Sequence, residues 1–174
     1  YDKDYAYDIY ERDAHGEMTS ADSMKVDTTA VFYTVKGRRV YGGGGIIPDV
    51  FVPMDTTKAT TFYINCNEKA TQMRFAQSMF DKYRGTLAGI NDFDRLDKWL
   101  DEVGLASQFL EYASRVDGLK PEEGEWAETE SYMMPQLKAL VGRFSKLGDE
   151  AFYRFYLPID DTIQAALKNS SIVD

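Results

Sequence analysis

The spacing of hydrophobic and polar positions changes its period near residue 57. Before it the alternation is that of strands. In residues 28–41, Val31, Tyr33 and Val35 alternate with Phe32 and Thr34, and Lys36-Gly37 offers a short turn, which predicts a β-hairpin. The run IIPDVFV, residues 46–52, is also β-prone, although Pro48 has no N–H to donate and so belongs at an edge or a strand start. The first twenty-five residues, YDKDYAYDIYERDAHGEMTSADSMK, are polar, acidic and tyrosine-rich, without an apolar stripe. They predict a loop holding at most one short helix.

From residue 60 onward the period is helical. Met73, Ala76, Phe80, Tyr83 and Leu87 recur at steps of three and four. A second helix is capped at Asn91 or Asp92, presents Phe93, Leu96, Leu100 and Val103, and stops at Gly104. A third carries Leu105, Phe109, Tyr112 and Val116 and ends near Gly118. The fourth has Pro121 in its first turn and runs through Trp126, Met133, Leu137, Leu140, Phe144 and Leu147 toward Gly148, with Pro135 expected to kink or break it. Two short helical pieces follow, over residues 151–157 and 161–168. No fixed-period repeat marks a solenoid. The expected fold is α+β, mainly α: residues 1–57 form a polar loop plus a β segment, and residues 58–174 a helical domain.

Composition adds bounds to this picture. A chain of 174 residues, 44% hydrophobic and 14% aromatic, can fill one good core or two small ones. Twenty basic against twenty-nine acidic residues give a net charge of −9, which repels phosphate backbones and anionic lipid. No nucleic-acid partner is expected. No apolar run reaches the roughly 18 residues of a membrane span. The sequence starts at Tyr1, so we expect a chain processed or cut from a longer one; the lack of a signal-like start then says nothing about compartment. The single Cys66 allows neither an internal disulfide nor a thiolate-rich metal site, and it fits a reducing or an oxidising compartment equally.

Candidate chemistry centres first on Gly42, Gly43, Gly44 and Gly45. A phosphate loop needs Lys-Ser/Thr and a helix directly after its last glycine, whereas Gly45 is followed by Ile46, Ile47 and Pro48. The glycines instead predict a tight turn between strands, because without Cβ they admit positive φ and close approach. His15 is the only histidine and reads as a solvated loop residue rather than a triad member. Ser20 and Ser23 lie near Lys25, but nothing around that lysine promises the burial that would deprotonate it. The stretch NDFDRLDKWLDE fails the oxygen-ligand spacing of a calcium loop. Asp94, Asp97, Asp101 and Glu102 are expected on the wet face of a helix, with Lys98 paired to Asp94. The acidic KPEEGEWAETE reads as a helix N-terminus, and the aromatic AFYRFYL as core packing. No catalytic residue, metal site or cofactor is expected.

The string FYTVKGRRVYGGGGIIPDVFVPMDTT resembles a segment of carboxyl-terminal processing, or tail-specific, serine peptidases that lies shortly after their catalytic lysine. The matching positions are Thr34, Gly37, Arg38, Gly44, Gly45, Ile46, Pro48 and Asp49. The multiplied glycines and the upstream HGEMTSADSMK are similar to Bacteroidetes-type members, and PQLKALVGR with DEAFYRFYLPIDDTIQAALK resembles their helical tail more loosely. The resemblance is specific over residues 15–57. It implies that Gly42–Gly45 shape a turn in a β-rich protease core and that Pro48-Asp49 set up the next strand. In that family a serine nucleophile, a lysine base and a glutamine cut protein tails guided by a PDZ domain. Those parts lie upstream of the matched segment, so no catalytic residue carries over. The resemblance implies the C-terminal end of such an enzyme, partnered by its upstream peptidase core and PDZ domain, acting on protein or peptide substrates, with a possible homodimer and an exported, periplasmic or envelope-associated parent. The competing expectation is a free-standing helical interaction module with a β-arm.

Overall fold

A computed structural model describes residues 5–17, 19–23, 27–42 and 50–170. The chain is mainly helical, with a two-stranded antiparallel sheet ahead of the helices, an α+β arrangement. It divides into two compact units, Tyr1–Asp55 and Thr56–Asp174.

In the first unit, helix α1 (Tyr5–Ala14) ends where Gly16 takes a positive φ of 78°, and Arg12 closes the turn by pairing with Glu17 at 2.8 Å. Strands β1 (Asp27–Tyr33) and β2 (Arg39–Gly42) pair with Val31 opposite Tyr41, Phe32 opposite Val40 and Tyr33 opposite Arg39. The register is irregular between Asp27 and Val31. The hairpin loop is longer than the predicted Lys36-Gly37 turn. Thr34 N–H donates to the Arg38 carbonyl and Gly37 N–H to the Thr34 carbonyl, so Val35 sits in the loop and not in the strand alternation. Gly37 needs its glycine, because φ is 81° there. Residues 46–49 of the second predicted strand lie outside the described residues, and Val50, Phe51 and Val52 are not in a strand.

The second unit begins with α2 (Thr61–Glu68), whose N-cap Thr60 accepts from the Tyr63 N–H. The sequence pattern ran α2 into the next helix, but Ala70 turns left-handed (φ 51°) and separates it from α3 (Thr71–Gly89). The face that α3 buries is Phe75, Ala76, Met79 and Leu87; Met73 of the predicted stripe is half exposed. Apolar residues at 73, 75, 76, 79, 80, 83 and 87 spread too far round the helix for periodicity to say which edge stays wet.

Helix α4 (Phe93–Glu102) is capped by Asp92, whose carboxylate accepts the Arg95 N–H at 2.9 Å, and Leu96 and Leu100 are fully buried. Gly104 (φ 72°) divides it from α5 (Leu105–Tyr112), which runs into a π-helical turn, Ala113–Asp117, ended by Gly118. Val116 lies on the exposed side of that turn, unlike the predicted stripe.

Helix α6 (Glu125–Gly142) starts later and stops earlier than its sequence pattern. Pro121 precedes it, because the Glu125 carboxylate accepts the Glu122 N–H at 2.8 Å and the Phe62 N–H at 3.2 Å, which fixes the start of α6 and serves an orphan donor of α2 together. The helix continues through Pro135 without a break, held on either side by fully buried Met133 and Leu137. Phe144 and Leu147 fall in the turn before α7 (Asp149–Tyr156), a 3₁₀ turn over Leu157–Ile159, and α8 (Asp161–Lys168).

Phe109 joins these helices. Its ring is fully buried 6.2 Å from Phe62 of α2 and 5.3 Å from Phe75 of α3, both edge-on, and 6.4 Å from Trp126 of α6. Where α6 meets α7, Gly142 permits the approach: a Cβ there would lie 3.2 Å from Ala151 Cβ and 3.4 Å from Leu96 Cδ2. Replacing Phe109 by alanine is expected to cost about 3–5 kcal/mol in denaturant unfolding, against less than about 0.5 kcal/mol for Met73→Ala. Equal losses at the two positions would show that the buried face of the bundle has been misplaced.

Candidate functional site

Of the glycine-hairpin motif singled out from sequence, Gly37, Arg38 and Gly42 are among the described residues. Gly37 and Arg38 complete the hairpin loop, where the Arg38 N–H donates to Thr34 Oγ1 at 3.0 Å, and Gly42 ends β2. Gly43, Gly44, Gly45, Pro48 and Asp49 lie outside the described residues, as does Lys25. His15 is exposed, its Nδ1 held by the Glu11 carbonyl. Ser20 and Ser23 belong to a short turn, linked by the Ser23 N–H and the Ser20 carbonyl.

The acidic helix α4 differs in detail from its reading. Lys98 pairs with Glu102 at 3.6 Å rather than with Asp94. Asp97 and Asp101 do not simply face water, because they grip Lys138 of α6 at 2.6 and 2.7 Å. Among the described residues no group of three or more His, Cys, Asp or Glu side chains is placed to hold a metal ion.

Two polar arrangements stand out. One ties the α2–α3 junction to the π-helical turn. Asp117 accepts from Thr71 Oγ1 at 2.7 Å and from Arg74 Nη2 at 2.6 and 2.7 Å, while its carbonyl accepts from Lys69 Nζ at 3.1 Å. The Arg74 hydrogen bond, followed by that of Thr71, holds the Asp117 carboxyl below its ordinary 3.8. Cys66 lies beneath this knot, fully buried, and burial first and Asp117 second push its thiol up to about 12. It is a packed neutral thiol, poorly suited to nucleophilic work.

The other arrangement is a groove between α4, α6, α7 and the 3₁₀ turn, about 350 Å³ in volume. Phe93, Met134, Phe155 and Ile159 give it apolar walls, and Asp97, Lys138 and Arg154 are its charged residues. Helix α4 brings Phe93 and Asp97 to one side because they are four residues apart, and α6 brings Met134 and Lys138 to the other by the same spacing. Burial opposes the Lys138 charge, but the hydrogen bonds that its ammonium donates to Asp101 and Asp97 outweigh it and hold the ammonium above its ordinary 10.5. A lysine so held cannot serve as a base near neutral pH. Arg154 lies with Cζ 3.7 Å from the centre of the Phe93 ring, a close cation–π contact. No serine, cysteine or histidine lines the groove.

No family model matches the chain, and neither a curated protein nor a solved structure matches it. No helix among the described residues is long and apolar enough to cross a membrane.

The groove was not legible beforehand. Asp97 read as part of a wet helix face, and Arg154 was lost inside AFYRFYL. The usable signal was an arginine between aromatics in α7, with an apolar residue and a charge four apart in α4 (Phe93, Asp97) and in α6 (Met134, Lys138).

The Asp117 knot gives a pH-dependent expectation. Its folded-state pKa is the lowered one, so its stabilisation is complete above about pH 4 and is lost as pH falls through the folded value. Asp117→Asn should be less stable than the parent chain in urea near pH 7, with the gap narrowing as pH is lowered below the ordinary carboxylate range. A gap that stays constant with pH would refute this role for the carboxylate.

Proposed function

We propose that this chain is the non-catalytic C-terminal region of a carboxyl-terminal processing serine peptidase, carrying the last strands of the protease core and a helical domain after them. The chemistry of the parent, a serine nucleophile and a lysine base acting on protein or peptide tails, lies outside these residues. The parent is exported or held in the envelope, and the helical unit assists dimerisation or restricts substrate access.

The observation that carries this reading is the apolar surface of the hairpin. Phe32 and Tyr33 of β1 are 59% and 69% exposed, and Val31 is also exposed. Among the described residues the sheet has two strands, so both are edge strands. A lone hairpin of this kind is marginal in water, and exposed aromatic and β-branched side chains on it call for a covering layer. Strands detached from a larger sheet have this character, and the resemblance over residues 15–57 supports the same reading.

A second reading, a free-standing helical interaction module, draws on one observation: every buried hydrophobic residue among those described lies between Phe62 and Phe155. The helical unit supplies its own core and does not need a protease to fold.

Amide exchange separates the two. In a proven monomer, residues 27–42 should exchange within about tenfold of unfolded-chain rates, while buried positions of α3 and α6 are protected by several orders of magnitude. Strong protection of the hairpin in that monomer would contradict a severed sheet. A reading frame that encodes the chain alone, with no upstream serine and lysine segment, would favour the module.

A further inference from the structure

The groove between α4, α6 and α7 has features that the peptidase reading does not use. In a chain of net charge −9, its lining holds two cations against one carboxylate. The two cations are in different situations. Lys138 is taken up by Asp97 and Asp101, two carboxylates to one ammonium, so it offers no charge to a ligand. Arg154 makes no hydrogen bond among the described residues; its ion pair with Glu150, four residues earlier, is long at 3.8 Å and solvent-exposed. Its contact with Phe93 occupies a face of the guanidinium, which leaves the in-plane N–H donors for another partner. Such donors match a carboxylate in two-point geometry.

The apolar walls set the rest of the ligand. Phe155 is almost fully buried, and Met134, Pro135, Pro158 and Ile159 complete a surface with no donors or acceptors in its side chains. A volume of about 350 Å³ is at the small end of ligand-sized clefts, which run from about 300 to 1,000 Å³. It accommodates one aromatic ring or branched aliphatic group with a short arm. An extended polar ligand would find its hydrogen-bonding groups unpaired against these walls.

We propose that this groove binds a small monocarboxylic acid with a compact apolar body, its carboxylate on Arg154 and its body against Phe155, Met134 and Ile159. The inference stands independently of the peptidase reading. Binding involves no bond making, and Lys138 with Asp97 and Asp101 ties α4 to α6 at a fixed width.

The test uses the full chain and 3-phenylpropionate as the probe, with 3-phenylpropionamide as its uncharged counterpart. Methyl resonances of Met134 and Ile159 should shift saturably with the acid, with an affinity on the order of millimolar for so small a ligand. The amide should bind at least about fivefold more weakly, and Arg154→Gln should reduce acid binding to the level of the amide. Arg154→Lys, which keeps the charge but not the planar fork, should fall between them. Dispersed spectra of both variants guard against loss of fold, since Arg154 is half exposed. Equal binding of acid and amide, unchanged binding in Arg154→Gln, or no saturable shift at either methyl would overturn the proposal.

Discussion

The meeting of Phe62, Phe75 and Trp126 around Phe109 is the constraint on which the helical unit depends. Four helices, α2, α3, α5 and α6, each contribute one ring, and the rings pack mostly edge to face. Area burial alone would tolerate several arrangements of amphipathic helices. Aromatic edges and faces are more selective, because the ring quadrupole favours particular angles. The polar ties then secure what the rings select. Glu125 joins the start of α6 to the start of α2, and Asp117 joins the π-helical turn to α3. Thr129 of α6 adds a bond from its hydroxyl to the Lys58 carbonyl.

From that centre the packing extends to α4 and α7 by a different device. Gly142 has no side chain, so Ala151 and Phe155 of α7 and Leu96 of α4 close against the end of α6. Phe155, which meets Gly142, also lines the groove, as do Arg154 and Asp97 beside the residues that close there. Phe155 sits 4.6 Å ring to ring from Phe93, and Lys138 bridges α6 to the aspartates of α4. The groove is therefore a by-product of how three helices meet at a glycine, and its two cations differ because only one of them was needed for that meeting.

Much of the fold was legible in the pattern. Helix faces such as Phe93, Leu96 and Leu100, the Asp92 cap and the stops at Gly104 and Gly118 follow from local chemistry that tertiary packing reinforces. The hairpin was legible for the same reason. The misplaced features share a different cause. The break at Ala70 puts a non-glycine residue in a left-handed conformation that no local preference favours; it stands because the Asp117 knot holds the flanking Lys69, Thr71 and Arg74. Pro135 stays within α6 because its neighbours are buried, and the start of α6 is set by a contact sixty-three residues away, from Glu125 to Phe62. The groove needs residues from α4, α6 and α7 at once, and spacing along one helix cannot reveal that.

Residues 56–174 hold every buried hydrophobic residue among those described, and so should form a self-sufficient fold. Thermal unfolding of residues 56–174 compared with the whole chain tests this most directly. The account predicts one cooperative transition in the shorter chain, with a midpoint within about 2 °C of its counterpart in the longer one. A broad, non-cooperative melt, or a midpoint lower by more than about 10 °C, would contradict it.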